Sequence, residues 1–399
     1  MRPGPKTLGG PASALALAST MFVEAVGYGM VAPTLPFMAR GLGASERGIG
    51  LVVGLYAAVG LVAVVPLGVL ANRYGRRSLV LLGLSCLTLA SLGFVLAPSY
   101  AWLVAARLVQ GLGACAVWVG ALSAAADLTP DDAMGRSLSW ITGSWSLGFI
   151  VGPALGGVGR VQTPFLAYAA LSLAALLLAF TGLRETGEAG TPTTFRGILG
   201  VLGLPSVLAS GAATFSLAFY YGAVEAFVPL LVASAGSGRL AIGLLFVVAG
   251  LPSVALPRLV GRLADRIGDA RLILSGLAFA ALLCAGFLPL FHRLPRFAFF
   301  LLVGLVEVVV YVPAVALLNR GIDKPRRVFA NASHNYAFSA GFSLGPLLAG
   351  LVLPRAGYGV MFGMVSAVLL AGAGLVASRG SALAAGRRLA PSATLDVEE

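Results

Sequence analysis

The chain has 399 residues, of which 58% are hydrophobic and only 11% charged, and its mean hydropathy is +0.95. Soluble domains carry about 25% charged residues, so this composition argues against a soluble enzyme; it also excludes a disordered chain and, with three cysteines, a disulfide scaffold. It is typical of a helical membrane protein, in which each span needs about 20 mostly apolar residues. The net charge of +12 comes from arginines spread between apolar runs, so no nucleic-acid partner is expected.

Apolar runs separated by polar breaks predict twelve transmembrane helices, which places both chain ends on the same side of the membrane. The predicted spans are 11–39, 48–71, 78–97, 101–126, 137–158, 163–183, 206–233, 240–258, 272–291, 297–319, 331–353 and 358–378. With cytoplasmic ends, 19 Lys and Arg residues fall on the cytoplasmic side and seven on the other. Because cytoplasmic loops are enriched in Lys and Arg, the prediction is a multi-pass protein of the cell membrane with both termini in the cytoplasm.

The sequence repeats itself with a constant shift of 193 residues. The matching segments are YGMVAPTLP at 28–36 with YGAVEAFVP at 221–229, GVLANRYG at 68–75 with GRLADRIG at 261–268, and GFIVGPALGG at 148–157 with GFSLGPLLAG at 341–350. Parallel six-helix repeats occur in transporters, where the substrate site lies between the repeats near mid-membrane. The predicted organisation is an all-α membrane protein with a six-helix bundle over 1–183, a cytoplasmic linker over 184–197, and a second bundle with a short tail over 198–399.

The loop between spans 2 and 3 carries a pattern of glycines and arginines that returns between spans 8 and 9. Its residues are Gly68, Asn72, Arg73, Gly75 and Arg76 in the first copy, and Asp265 and Arg266 in the second. The pattern resembles the loop signature of the major facilitator superfamily, which implies gating loops at the cytoplasmic face. The family has an acid where this chain has Asn72, and the second copy keeps it. That acid is expected to latch one conformation by charged contacts, so the first copy is limited to a neutral hydrogen bond.

Spans 4 and 5 carry two further motifs of this family. Arg107, in RLVQGLG, resembles the intramembrane arginine and is expected to face the bundle interior; the alternative is that its side chain extends to the outer interface. Span 5 resembles the glycine-proline motif of the antiporter branches, with a flat packing face and a kink. The residues of that motif are Gly148, Gly152, Pro153 and Gly156. Close helix packing alone is the alternative role, and the two roles are compatible.

Four charged residues lie inside apolar spans, on helices 1, 4, 7 and 10, which line the central cavity in this superfamily. They are Glu24, Arg107, Glu225 and Glu307, and each glutamate has a tyrosine four positions away: Tyr28, Tyr221 and Tyr311, respectively. Residues four apart share a helix face, so each pair is expected to point the same way. A buried carboxylate keeps a proton readily, whereas a nearby cation favours its ionised form, and this competition suits exchange. The hypothesis is that Glu24 and Glu225 carry proton exchange and cation recognition. Alternatively, a given glutamate pairs with the arginine or another acid for structural reasons.

These features together resemble the drug/proton antiporter group, which includes bacterial multidrug exporters and vesicular amine transporters. The resemblance implies proton-coupled export of small lipophilic or cationic compounds by alternating access. The expected partners are the small-molecule substrate, protons and the lipid bilayer. We expect a monomer that is not an enzyme and holds no cofactor or metal, because the sequence has no Walker loop and its cysteines are isolated. The alternatives are an exporter of one neutral or acidic metabolite, such as a sugar, and a membrane sensor or enzyme that transports nothing.

The loop between spans 4 and 5 also holds a cluster of charges. Its members are Asp127, Asp131, Asp132 and Arg136. A network that anchors or gates the loop is a simpler interpretation of this cluster than a ligand site.

Overall fold

The computed structural model describes residues 10–128, 134–185, 195–320, 322–323 and 326–389. Every regular element in these residues is a helix, which confirms the all-α prediction. The helices are α1 (Gly10–Gly29), α2 (Leu35–Gly41), α3 (Glu46–Tyr74), α4 (Arg76–Val95), α5 (Tyr100–Leu128), α6 (Met134–Gly156), α7 (Thr163–Gly182), α8 (Phe195–Val201), α9 (Pro205–Ser234), α10 (Arg239–Ala255), α11 (Pro257–Ile267), α12 (Asp269–Ala285), α13 (Phe287–Arg293), α14 (Arg296–Arg320) and α15 (Arg327–Leu389).

These helices account for the twelve predicted membrane crossings. Eight are long and apolar enough to span a bilayer, and two bent pairs, α10 with α11 and α12 with α13, raise the number to ten. Helix α15 has 63 residues and breaks at Gly357, where φ is 74°, so it crosses twice. Helix α6, with 23 residues, is the twelfth crossing because about 20 residues suffice.

Prolines and one glycine explain where the helix ends differ from the predicted spans. Span 11–39 is two helices, because Pro33 cannot donate a backbone hydrogen bond and disfavours helical geometry before it. Pro257 likewise begins α11, which is bent by 52° from α10. The last two predicted spans, in contrast, join in α15, since Pro354 lies inside the helix and only the backbone at Gly357 is non-helical.

The predicted linker at 184–197 lies mainly outside the described residues, because 186–194 belong to the part that the structure does not describe. Helix α8 begins inside the predicted linker and ends beyond it. Below, "first half" means residues 10–185 and "second half" means residues 195–389, each taken without its undescribed gaps.

Helix contacts follow the 193-residue shift within each half. A side chain added at Gly152 in α6 would lie 2.6 Å from the Val26 carbonyl oxygen in α1. One added at Gly345 in α15 would collide with the Phe219 carbonyl oxygen in α9. Each residue of the second contact is 193 positions after its counterpart in the first. Small residues allow helices to approach this closely within a membrane, so the repeat extends to individual contacts.

Close contacts of glycines with carbonyl groups join the two halves at one of their ends. There Gly50 in α3 faces the Pro346 carbonyl of α15, and Gly243 in α10 faces the Pro153 carbonyl of α6, again at a shift of 193. Toward the other end, which carries the arginine-rich loops, Gly68, Gly143 and Gly261 have open space where a side chain would lie. We call these two ends the closed end and the arginine-rich end.

Arg239 adds a polar contact between the halves at the closed end. This residue begins α10 in the second half, and its guanidinium donates to the carbonyl oxygens of Gly156 at 2.7 Å and Gly159 at 3.0 Å in the first half. A cation at the carboxyl end of a helix also interacts favourably with the helix dipole of α6. The closed end is therefore held by charge as well as by glycine packing.

Each loop region has an ion pair at equivalent positions, but the acidic and the basic residue exchange places between the two halves. Arg76 Nε lies 3.4 Å from Asp127 Oδ2 in the first half, and Arg320 Nη1 lies 3.1 Å from Asp269 Oδ2 in the second. The shift of 193 relates the arginine of each pair to the aspartate of the other. Arg320 also binds Asp265 at 2.6 Å. Of the predicted loop network, Asp131, Asp132 and the Arg136 side chain lie outside the described part.

Candidate functional site

Two of the predicted acids line one small cavity at the centre of the helix bundle. The cavity has a volume of about 30 Å³ and is bounded by α1, α6, α9, α10 and α14. Glu225 from α9 and Glu307 from α14 supply its carboxylates, while its apolar walls include Phe149, Pro153 and Phe246. Because α1 and α6 belong to the first half and the other three helices to the second, the cavity lies between the halves.

Each cavity glutamate interacts with a tyrosine of a different helix, and not with the tyrosine four residues away. The Tyr221 hydroxyl donates to Glu307 Oε2 at 3.0 Å, and Tyr28 is the tyrosine that interacts with Glu225. The expected pairing within each helix is therefore not observed, because a tyrosine ring carries its hydroxyl far enough to reach the next helix. Glu225 Oε2 is buried without a hydrogen-bond partner, so this oxygen has a free acceptor position.

Glu24 lies in a separate polar site behind the cavity wall. It is 2% exposed and accepts hydrogen bonds from the Tyr56 hydroxyl at 2.5 Å and from Trp145 Nε1 at 2.8 Å. Tyr56 comes from α3 and Trp145 from α6, so three helices converge on one carboxylate. Neither partner could be predicted from sequence, because each lies in an apolar run far along the chain from Glu24.

Arg107 faces the bundle interior, as expected, and does not extend to the interface. Its side chain is 1% exposed; Nε donates to the Val52 carbonyl at 3.1 Å and Nη2 to the Val53 carbonyl at 3.2 Å. The third guanidinium nitrogen, Nη1, donates to Gln110 Oε1 at 2.6 Å. The guanidinium carbon lies 4.8 Å from the centre of the Tyr56 ring. Among the described residues, no ion pair within 4.0 Å joins this arginine to any of the three glutamates.

Aromatic rings connect the Glu24 site with the cavity. The Tyr28 ring is 5.8 Å from Tyr56, 5.9 Å from Phe149 and 5.8 Å from Phe342. Phe149 in the first half and Phe342 in the second are related by the shift of 193. An aromatic face attracts cations, more strongly when water is excluded. The cavity therefore combines two carboxylates with aromatic walls.

Of the other predicted site residues, Tyr311 does not line the cavity. Tyr311 is 40% exposed and its ring is 5.7 Å from that of His334. The His334 ring nitrogen Nδ1 contacts the hydroxyls of Ser210 at 3.1 Å and Thr214 at 3.2 Å. The structure thus places this tyrosine beside a second polar cluster, at the junction of α9, α14 and α15.

The loop signatures have well-defined contacts at the arginine-rich end. Asn72 Oδ1 accepts a hydrogen bond from Arg76 at 2.6 Å, and Arg73 stacks on the Tyr74 ring. Gly75 joins α3 to α4 with φ of 93°, a backbone conformation that glycine adopts without strain. Arg266 lies in the last turn of α11, one residue after Asp265. In α6, Gly148 and Gly152 pack on α1, and Gly156 packs on Met30 and Pro33 just beyond the end of α1. Pro153 lines the cavity.

We expect Tyr56→Phe to destabilise the protein by about 2 kcal/mol, because a hydrogen bond to a buried acid is lost while the acid stays buried. Thermal unfolding of the purified protein measures the effect. The control is Tyr74→Phe in the same helix, since Tyr74 is 57% exposed. Equal melting temperatures for the two variants would contradict the role assigned to Tyr56 in holding Glu24.

The chain belongs to the Major Facilitator Superfamily, whose sequence profile matches residues 17–295 and 211–382. It is 30% identical over 272 residues to a class G tetracycline resistance protein of Vibrio anguillarum, covering 64% of this chain and 69% of that one. It is 28% identical over 172 residues to multidrug resistance protein 1 of Bacillus subtilis (strain 168), covering 42% of this chain. That second match spans only 44% of the relative's length.

Solved structures with the same fold cover almost the whole chain. The human organic anion transporter MFSD10 (TETRAN) superposes with a TM-score of 0.69 at 20% identity, over 93% of this chain and 99% of that one. A bacterial homologue of the human lysosomal transporter Spinster, in an inward-facing and occupied conformation, superposes with a TM-score of 0.73 at 14% identity. The match covers 94% of this chain and 96% of that one. These matches and the family profile confirm the predicted twelve-helix fold of a membrane transporter.

Proposed function

We propose that this protein is a proton-coupled exporter of small lipophilic cations. The observation that carries the proposal is the pair of buried carboxylates, Glu225 and Glu307, on a cavity walled by aromatic rings. Neither is within 4.0 Å of a cationic side chain in the described part of the chain. A buried ionised carboxylate requires a positive partner, and here either a proton or a cationic substrate would supply it.

Competition between proton and substrate for one carboxylate gives exchange. When a cation binds Glu225, the ionised form is favoured and the proton leaves; when the cation leaves, burial favours the protonated form. The free Oε2 of Glu225 is the position that we assign to substrate. Glu307, with Tyr221, is assigned to proton exchange at the same cavity, and Glu24, held by two donors, to a supporting role.

Alternating access follows from a cavity between two halves that touch at one end. The positive-inside bias places the arginine-rich end, and with it both chain ends, in the cytoplasm. An exporter takes up its substrate from the cytoplasm, so we assign substrate entry to the arginine-rich end. We assign the closing and opening to rocking of residues 1–183 against 198–399 in a monomer, as parallel repeats allow.

The relatives support an organic substrate and differ in its charge. Resistance proteins for tetracycline, for multiple drugs and, in Staphylococcus aureus, for quinolones are among them, whereas the human structure is described as an organic anion transporter. Two carboxylates at the cavity would repel an anion, since like charges at short range are unfavourable in a low dielectric. We therefore favour a cation over the acidic or sugar-like metabolite that is the alternative.

Proton release from proteoliposomes tests this proposal. The purified protein is reconstituted with a pH-sensitive dye, and a panel of lipophilic cations, sugars and organic acids is added under a proton gradient. Cations are expected to evoke proton movement in a saturable manner, and sugars and acids are not. Proton movement evoked by a single sugar or acid, and by no cation, would favour the alternative of a metabolite exporter. If no compound evokes proton movement, the protein does not exchange protons for lipophilic cations, sugars or organic acids of the kinds tested.

A further inference from the structure

A second and larger cavity lies within the second half, away from the interface between the halves. Its volume is about 500 Å³, and its walls come from Leu202, from α9 and from α15 on both sides of the break at Gly357. Two of its lining residues are exposed although they are apolar and lie in membrane-spanning helices, namely Leu208 at 37% and Leu375 at 57%. The cavity therefore opens to the surface of the protein that the bilayer surrounds.

The shape of this cavity follows the helix axis. On α9 its wall is formed by pairs of residues that recur every four positions, Val207 with Leu208, Gly211 with Ala212, and Phe215 with Ser216. These ten positions extend about 14 Å along the helix at a rise of about 1.5 Å per residue. One leaflet of a bilayer has a hydrocarbon depth of about 15 Å, half of the total. The cavity is thus a groove as long as one leaflet is deep, and we call it the α9–α15 groove.

The α9–α15 groove offers an apolar surface to a ligand. Its two hydroxyl groups already donate to backbone carbonyl oxygens, Ser216 to Val368 at 3.4 Å and Ser333 to Ala330 at 2.7 Å. None of the described residues that line it is charged. An organic cation or a polar metabolite would lose its hydration here without gaining a partner. An acyl chain has no polar group to desolvate, so the groove suits hydrocarbon.

A basic residue follows the groove at the arginine-rich end. On the second arm of α15, Val368, Ala371, Gly372 and Leu375 line the groove at helical spacing, and Arg379 follows one turn later on the same face. Arg379 is exposed, and no acid of the described part of the chain lies within 4.0 Å of it. Basic residues at the membrane surface attract anionic lipid head groups.

We propose that the α9–α15 groove binds one acyl chain of an anionic phospholipid whose head group lies beside Arg379. The length of the groove, its apolar walls and the position of the basic residue together match one lipid of the leaflet at the arginine-rich end. Because the groove lies within one half and has no residue in common with the cavity of Glu225 and Glu307, the proposal does not rest on the proposed function.

Native mass spectrometry of the delipidated protein in detergent tests this site by counting bound lipids. The probes are phosphatidylglycerol, which is anionic, and phosphatidylcholine with the same chains, which has no net charge. Gly211→Leu fills the groove, since a side chain added there comes within 4 Å only of Ala337, at 3.9 Å. It is expected to weaken binding of both lipids about tenfold, the equivalent of about two buried methylene groups. Arg379→Gln is expected to weaken only phosphatidylglycerol, about fivefold, as one basic residue near the surface contributes.

Gly363→Leu is the matched control, because it adds the same side chain to α15 outside the groove, where no atom lies within 4 Å. Both lipids are expected to bind this variant as they bind the parent. Unchanged binding in Gly211→Leu overturns the proposal, as does an equal loss of both lipids in Arg379→Gln. If Gly211→Leu does not fold, Ala371→Leu on the facing wall takes its place with the same expectation.

A lipophilic cation is the other occupant that the same variants distinguish. If Gly211→Leu weakens binding of tetraphenylphosphonium and leaves both lipids unaffected, the groove belongs to substrate and the proposal is overturned. Because no proton movement is measured, these outcomes and those of the proteoliposome experiment are independent.

Discussion

Glu225→Gln is expected to reduce cation-evoked proton release about 100-fold while leaving the fold intact. Glutamine has nearly the shape of glutamate and retains a hydrogen-bond acceptor for Tyr28, but it neither ionises nor releases a proton. Leaving a buried cation without its partner charge costs about 3 kcal/mol, which corresponds to roughly this factor. The measurement is the initial rate in proteoliposomes across a series of pH values, with the variant expected to show a weaker pH dependence than the parent.

Two variants serve as controls for this prediction. Glu46→Gln removes an acid whose side chain is 36% exposed and pairs with Arg40, so its rate is expected to match the parent. Glu307→Gln tests the second cavity acid. If Glu225→Gln keeps the parent's rate while Glu307→Gln loses it, the substrate carboxylate is Glu307; if both keep it, the assignment of exchange to this cavity is wrong.

Gly243→Val is expected to stop exchange by keeping the halves apart at the closed end. A valine side chain would collide with the Pro153 carbonyl oxygen of the other half. Overpacking of this kind costs about 1–3 kcal/mol, which lowers the population of the closed contact about 5- to 160-fold. Spin labels at the exposed positions Leu51 and Leu348 report the separation of the halves at this end, and a longer distance is expected.

Gly345→Val and Gly363→Val show whether this effect belongs to the contact between halves. Gly345 packs against Phe219 inside the second half, so valine there is expected to lower the melting temperature. Gly363 has no atom within 4 Å of an added side chain. Valine at this position is therefore expected to change neither the melting temperature nor the distance between the spin labels by a comparable amount. A Gly243→Val protein with the parent's distance and rate would show that the halves need not meet at Gly243.

The fold could be predicted because its determinants are local in sequence. Apolar length sets the spans, and close helix contacts in membranes need glycine at fixed spacing, so Gly148 and Gly152 recur as Gly341 and Gly345. The positions at which helices break are harder to predict from the sequence. Pro354 stays within a helix whereas Pro33 separates two, so a proline in the sequence does not by itself determine a helix break.

The candidate site could be predicted only in part. The acids stand out because charge is rare and unfavourable inside a span, which identifies Glu225 and Glu307 from sequence. Their partners depend on how far side chains reach between helices, so Tyr28 and Tyr221 pair differently from the i, i+4 expectation. Tyr56 offers no sequence signal at all, because a tyrosine in an apolar span is ordinary.

The reversed ion pairs of the two halves limit how the repeats can be recombined. An exchange that replaced α12 by α4 alone would set Arg76 beside Arg320, two like charges in place of an ion pair. Exchanging α4 and α5 together for their counterparts α12 and α14 would keep Arg76 with Asp127. Single helices of the two halves are therefore not interchangeable, and after duplication the members of each charged pair could change sign only together.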